Sequence, residues 1–245
     1  MSGQTITMPK SLPHAEPATS PLLTLTVPET GSLPSRPKSL AQDIVGVLQR
    51  DIIGGGYRPG QRLVERELIR RFGVSSIPIR EALLELEVRG LVVRRHNCGC
   101  SVIQLTPSEA ARICELRRVL EPKVTEWAAE RIGERAIEDL SGQLGKLGEA
   151  ARGGDLSAFF QEDIAFHRMV WDAAENPYAR RSLESMMGSL FASGLMGSRE
   201  TQVIDFSSEL AKHERLFEAI RDHDSQRAAL ALLEIAAGFE KHIPR

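Results

Sequence analysis

A mostly α-helical chain is the fold class this sequence predicts, and three observations carry it. Aromatic residues make up only 5% of the chain, and Leu, Ala and Ile dominate a hydrophobic content of 42%. Apolar residues recur at helical spacing over most of the length, in stretches bounded by Gly, Pro and Asn. Strand-like runs are few, short and confined to residues 61–105. The 245 residues suggest one or two domains, and 26% charged residues is ordinary for a soluble protein. No apolar run approaches the roughly 20 residues of a membrane span. The N-terminus lacks the basic start and continuous apolar core of a signal peptide, so a cytoplasmic chain without membrane contact is expected. Cys98, Cys100 and Cys114 do not make a disulfide framework.

Residues 1–37 hold seven of the 13 prolines and no sustained period, and read as a disordered arm. From Ser39, "SLAQDIVGVLQRDIIGG" puts Leu40, Ile44, Val45, Leu48 and Ile52 on one helical stripe, ended by glycines. Pro59-Gly60 is a turn, and "QRLV" reads as a short strand. "ERELIRRF" (65–72) is a second helix, stopped by Gly73. "SSIPIREALLELEVRG" (75–90) is a third, with Ser75 or Ser76 as cap and Pro78 tolerable only in the first turn. "LVVRR" and "SVIQL" then flank "HNCGC" as a hairpin. Helix, helix, tight turn, helix and two-stranded hairpin is the order of a winged helix-turn-helix, expected over 38–105.

Only helices follow, over 107–132, 134–152, 155–174, 177–197, 203–222 and 224–242, with a kink expected at Pro122. Short loops make residues 106–245 an antiparallel six-helix bundle. Charge divides the same way. Residues 38–104 hold 11 Lys/Arg and 7 Asp/Glu, a net of +4, against −6 for 105–245 and −2 overall. A basic module joined to an acidic one points to nucleic acid as partner of the first.

Two motifs invite chemistry. In "EDIAFHRMVWDAAEN", Asp163 and His167 stand four apart and share a helix face, so they can reach one metal ion or form an ordinary surface pair. "NCGC" can bind metal or sense oxidants, but it has no second cysteine pair, and an exposed wing tip is the simpler reading. Asn176 before Pro177 suits a helix end. Trp127 and Trp171 read as core.

"GYRPGQRLVERELIRRFGVSSIPIREALLELEVRGLVVRRHNCGCSV" resembles the DNA-binding domain of the GntR family of bacterial transcription regulators, nearly position by position over about 65 residues. "ELRRVLEPKVTEWAAERI", "DIAFHRMVWDAAENP" and "KHERLFEAIRDHD" resemble the FadR-type C-terminal ligand-binding domain, and six helices are closest to its VanR-like subgroup. The resemblance implies a homodimer that binds near-palindromic operator DNA, most often as a repressor released by a small carboxylate metabolite. It points to Arg66, Ser75, Ser76, Arg80 and Gly99 as DNA contacts, with Arg94 and Arg95 adding charge. Arginines can bond phosphates or the guanine edge, and helix-start N–H groups suit phosphate. Where this chain has Ser76 the family usually has an arginine, so a different operator is expected, with about 1–3 kcal/mol lost per half-site.

The resemblance also implies a divalent ion (Zn, Ni or Mn) held by an Asp and a His on one helix and a His on each of two later ones. Asp163, His167 and His213 match the first three. The fourth position falls on Ile235, which leaves an incomplete set with room for water or effector. His242 lies two turns further along, and adjacent Glu234 points about 100° away. Arg117 matches an arginine that holds an acidic ligand; its alternative is a surface pair with Glu121. The rival reading is a metal-dependent enzyme attached to a DNA-binding module. No catalytic residue is expected, because no nucleophile, general-base or cofactor motif stands beside those ligands.

Overall fold

The computed structural model describes residues 39–95, 99–193 and 205–240. The expected arm (1–37), His96 and Cys98 of the wing tip, and His242 lie outside them. The described elements are α1 (Leu40–Ile53), β1 (Arg62–Leu63), α2 (Glu65–Phe72), α3 (Ser76–Val88), β2 (Val92–Arg95), β3 (Gly99–Val102), α4 (Pro107–Arg131), α5 (Glu134–Gly153), α6 (Leu156–Ala173), α7 (Pro177–Ala192), α8 (Phe206–Arg221) and α9 (Ser225–Glu240).

Side-chain caps set most helix starts. Ser39 with Gln42 and Thr106 with Glu109 form capping boxes, the latter ahead of Pro107 at the first helical position. Asp155, Asn176 and Asp205 each accept from two backbone N–H groups of the following turn. Asn176 therefore starts α7 rather than ending α6, because its carboxamide satisfies donors that only a helix start leaves free. Ser75 occupies the cap position of α3 without a side-chain cap bond. Gly73 takes φ 67° at the end of α2, the left-handed turn that lets α3 begin three residues later.

The winged head buries Ile44, Val45, Leu48 and Ile52 of α1 against Leu68, Ile79, Leu83 and Leu86. Leu40, expected on that stripe, is exposed at the first position of α1. The wing has three strands rather than two. β1 is the outer neighbour of β3, in the order β1-β3-β2, with Arg62 opposite Ser101 and Leu63 opposite Cys100. Pairing to β1 covers one edge of the hairpin.

The bundle packs α4 against α6, α7, α8 and α9. Phe166, Trp171, Leu140, Leu183, Leu190 and Leu216 are fully buried, each contributing on the order of 3 kcal/mol. α4 runs unbroken through Pro122, which leaves the Arg118 carbonyl without its usual intrahelical donor. α7 ends at Ala192, short of the expected 197, and residues 194–204 lie outside the described residues. Ile53 packs against both cores, and Ala192 of the bundle belongs to the core of the head.

Head and bundle meet where the turn after α3, Arg89 and Gly90, crosses α7 closely. A Cβ on Gly188 would collide with the Arg89 carbonyl oxygen, and one on Gly90, at φ 73°, with the Ser185 carbonyl. No side chain fits between them, so glycine is required on both sides. The Ser189 hydroxyl donates to the Gly90 carbonyl at 3.1 Å across the joint.

Candidate functional site

The i, i+4 spacing on α6 turns Asp163 and His167 into the bundle, and α8 brings His213 to meet them. Asp163 Oδ1 lies 2.8 Å from His213 Nε2 and 3.9 Å from His167 Nε2, and the two Nε2 atoms are 3.4 Å apart. Asp163 is 7% exposed, and each histidine 1%. These side chains are buried in the bundle and do not form a surface pair. Edges of the Phe166 ring pack against both imidazoles, and Trp171 flanks His167.

Hydrogen bonds fix which atoms face inward. His213 Nδ1 donates to the Glu209 carbonyl, one turn back, at 2.8 Å. Its Nε2 then points at Asp163. Burial opposes charge on His213, but the Asp163 hydrogen bond outweighs it, and its pKa is raised. Burial pushes the Asp163 carboxyl up, yet the His213 bond and the neighbouring cations hold it below its ordinary range. Burial lowers the His167 pKa, against the pull of Asp163 and Glu121. Asp163 therefore favours its charged form and His213 its protonated one, paired across 2.8 Å, while His167 is biased toward the neutral ring.

Arg117 and Glu121 complete the polar interior. Arg117 does pair with Glu121, but the pair is buried, at 4% and 1% exposure, and not on the surface as the alternative reading had it, because α4 is surrounded by other bundle helices. Arg117 Nε and Nη2 donate to Glu121 Oε2 at 3.0 and 2.7 Å. Glu121 Oε1 lies 3.7 Å from His167 Nδ1, and both atoms are buried without a hydrogen-bond partner. Desolvating two charges costs about as much as their attraction returns, so such a pair is retained for what it does rather than for stability.

The residues present fit a divalent ion. Two imidazoles and one carboxylate are a donor set that first-row metals accept. Atoms at these separations can all lie about 2 Å from one point, the usual metal–ligand distance. Among the described residues, Asp163, His167 and His213 are the group with that geometry. Ile235 is part of the apolar core, so the fourth position supplies no ligand.

The residues expected at DNA are spread over α2, the start of α3 and the wing strands. Ser75 is exposed, Ser76 half-buried, and Arg66 on α2 and Arg80 on α3 are exposed. Arg80 Nε donates to Glu65 Oε2 at 2.9 Å, so part of its fork is held within the protein. Arg94 and Arg95 are exposed on β2, with Arg94 3.6 Å from Glu87. Gly99 takes φ 81° at the start of β3, opposite Arg95. Sequence reasoning missed Arg62, an exposed cation on β1 whose guanidinium would sit 3.2 Å from a Cβ on Gly99. A two-residue strand gives too little pattern to place it beside the wing. Cys100, expected at an exposed tip, is buried, and burial pushes its thiol to about 11.

A winged helix with exposed arginines around its third helix, carried on a helical bundle with an enclosed polar site, defines a DNA-binding transcription regulator. Residues 40–102 match the family described as bacterial regulatory proteins, gntR family, and residues 112–237 match the FCD domain. The chain belongs to the GntR family, in the branch that carries an FCD domain. It is 26% identical over 223 residues to the galactonate operon transcriptional repressor of Escherichia coli (strain K12), covering 82% of this chain and 95% of that protein. It is 28% identical over 180 residues to the gluconate operon transcriptional repressor of Bacillus subtilis (strain 168), covering 72% and 74%. Among solved structures, E. coli McbR/YncC aligns with a TM-score of 0.68 at 21% identity, covering 81% of this chain and 94% of that one. A putative GntR regulator from Rhodococcus sp. RHA1 aligns at 0.63 and 22%, covering 82% and 95%. No helix among the described residues is long and apolar enough to cross a membrane.

Proposed function

We propose that the chain is a homodimeric repressor whose hold on operator DNA is modulated by a small organic acid bound in the bundle with a divalent metal. Residues 38–105 are the DNA-binding part, 106–245 the effector-binding and dimerising part, and 1–37 an arm. A bacterial regulator that binds operator DNA works in the cytoplasm. The observation that carries the reading is the convergence of Asp163, His167 and His213 on one buried point, with the Arg117 guanidinium beyond His167. When bound, a metal (Zn, Ni or Mn) would supply an open coordination position for a carboxylate.

This chain's own residues do the rest. His213 gives up the proton on its Nε2 to hold a cation, and Asp163 offers its carboxylate. The Glu209 carbonyl keeps His213 Nε2 turned inward. Arg117 offers a fork to an acid once Glu121 yields it. Phe166 and Trp171 keep water out. Two of the relatives are named for operons of sugar acids, galactonate and gluconate, and that is the ligand chemistry this interior suits. At the DNA, Arg66, Ser75, Ser76, Arg80, Arg94, Arg95 and Gly99 make the contacts, and Ser76 shifts base preference. Exposed Leu116 and Val119 on α4 and Leu230 and Leu233 on α9 support dimerisation through those helices.

The test is a melting-temperature screen of sugar acids with Zn2+, Ni2+, Mn2+ or no metal. A ligand specific to the folded state raises Tm. An acid that stabilises the native chain with metal, and not Asp163→Ala, supports the reading. Metal binding unchanged in Asp163→Ala and His213→Ala refutes it.

A further inference from the structure

Three arginines from three helices converge on one buried carboxylate at the joint between head and bundle. Glu184 of α7 is 7% exposed. Arg168 Nη2 of α6 donates to its Oε1 at 2.8 Å, and Arg180 of α7 pairs with its Oε2. Arg89, the residue that closes α3, places its Nε 3.9 Å away. Gln49 of α1 joins both sides, accepting from Arg89 Nη1 at 2.9 Å and from Arg168 Nη2 at 3.4 Å. Glu85 and Asp172 take up the outer faces of Arg89 and Arg180, so the cluster balances at three cations and three anions.

Its position gives it a task. Arg168 follows His167 directly on α6, so one rigid helix presents the polar site on one face and the ion cluster about 100° round. Burial works against the Arg168 charge, and its ion pair with Glu184 offsets only part of that cost. A buried charge separated from its partner is costly, so Glu184 and Arg89 must follow when Arg168 moves. The glycine crossing beside it leaves no side chain to absorb the shift.

We propose that Glu184, Arg168, Arg89 and Gln49 form the transmission that carries occupancy of the Asp163/His167/His213 site to the third helix of the DNA-binding head. Arg168 acts as a positioning residue: it touches neither ligand nor DNA. The inference rests on the reading of that site as a sensor, and it adds which contacts report on it.

The experiment measures deuterium uptake of segment 76–91 in the full chain, with Zn2+ as probe. The background is the native protein, Arg168→Met or Glu184→Gln, and Zn2+ affinity is titrated in parallel. In the native chain Zn2+ should slow exchange of α6 and also change exchange of 76–91 by about fivefold or more, the low end of useful coupling. Either variant should keep Zn2+ affinity within about threefold and keep protection of α6, yet lose the response of 76–91. Arg168→Lys, which keeps the charge but not the fork, should restore it only in part. Variants that respond at native size overturn the proposal. A second arm uses His167→Ala in place of metal: it should alter exchange of 76–91 in the native background and not with Arg168→Met. A native chain that fails to bind Zn2+ refutes the metal reading, and the cluster is then judged on the His167→Ala arm. Equal responses there overturn it.

Discussion

Alanine at Gly90 combines two penalties that Gly73 and Gly188 show singly. Gly90 has φ 73°, and an added Cβ would press on the Ser185 carbonyl and lie 2.7 Å from Ser189 Oγ. Left-handed backbone costs alanine about 1 kcal/mol. Overpacking against main chain that cannot rotate away costs roughly 1–3 kcal/mol more. Gly90→Ala should therefore lose about 2–4 kcal/mol, a large share of the roughly 5–15 kcal/mol that holds a domain folded. Gly73 has φ 67°, and a Cβ there would meet nothing within 4 Å, so Gly73→Ala should lose only the backbone part, about 1 kcal/mol. Gly188 is helical and meets the Arg89 carbonyl, so Gly188→Ala should lose the steric part alone. Gly142 and Gly145 are helical with open space, and alanine there should stabilise by roughly 0.5–1 kcal/mol each. Urea unfolding followed by far-UV circular dichroism gives these differences from the midpoints at constant slope. A Gly90→Ala loss no greater than that of Gly73→Ala would refute the close crossing of the Arg89–Gly90 turn and α7.

Other expectations follow from the site and the head. Arg80→Ala should weaken operator binding by about 1–3 kcal/mol and flatten its salt dependence, measured by fluorescence anisotropy at several salt concentrations; native affinity that is flat with salt would contradict the basic-head argument. His167→Ala should cost more Zn2+ affinity than the roughly 10–100-fold typical of losing a partner behind a ligand, as read by calorimetric titration. Cys100, with its thiol raised to about 11 by burial, carries almost no thiolate at neutral pH and should resist iodoacetamide in the folded protein, becoming reactive only in denaturant or as pH nears 11. Leu230→Glu with Val119→Glu should shift the chain toward monomer in sedimentation velocity, since charge on an apolar contact is costly to bury.

How much of this is legible in the sequence depends on the range of the interaction. Helix positions are legible because caps, glycines and the 3.6-residue period are local. The pair Asp163 and His167 is legible for the same reason, and His213 through the family resemblance. Asn suits both helix ends, so Asn176 reads as the end of α6 until the hydrogen bonds from Tyr178 and Ala179 decide for α7. Arg117 and Glu121 have the same spacing whether wet or buried, and packing around α4 makes the difference. The Glu184 cluster joins residues 49, 89, 168 and 184, and no sequence window contains it. The inward aim of His213 depends on a main-chain carbonyl, which carries no residue signal.

The link between β3 and α4 is only residues 103–106, closed by the Thr106 cap. With the glycine crossing, it holds the head at two points. In the proposed dimer the two reading heads would stand at a set distance and angle, so such a dimer would act as a ruler for its operator. One inserted base pair moves a half-site by about 3.4 Å and turns it by roughly 35°. A swivelling head would tolerate that change, whereas a dimer of heads held this way would have to bend the DNA or release a half-site, which would make operator length as strict a requirement as operator sequence.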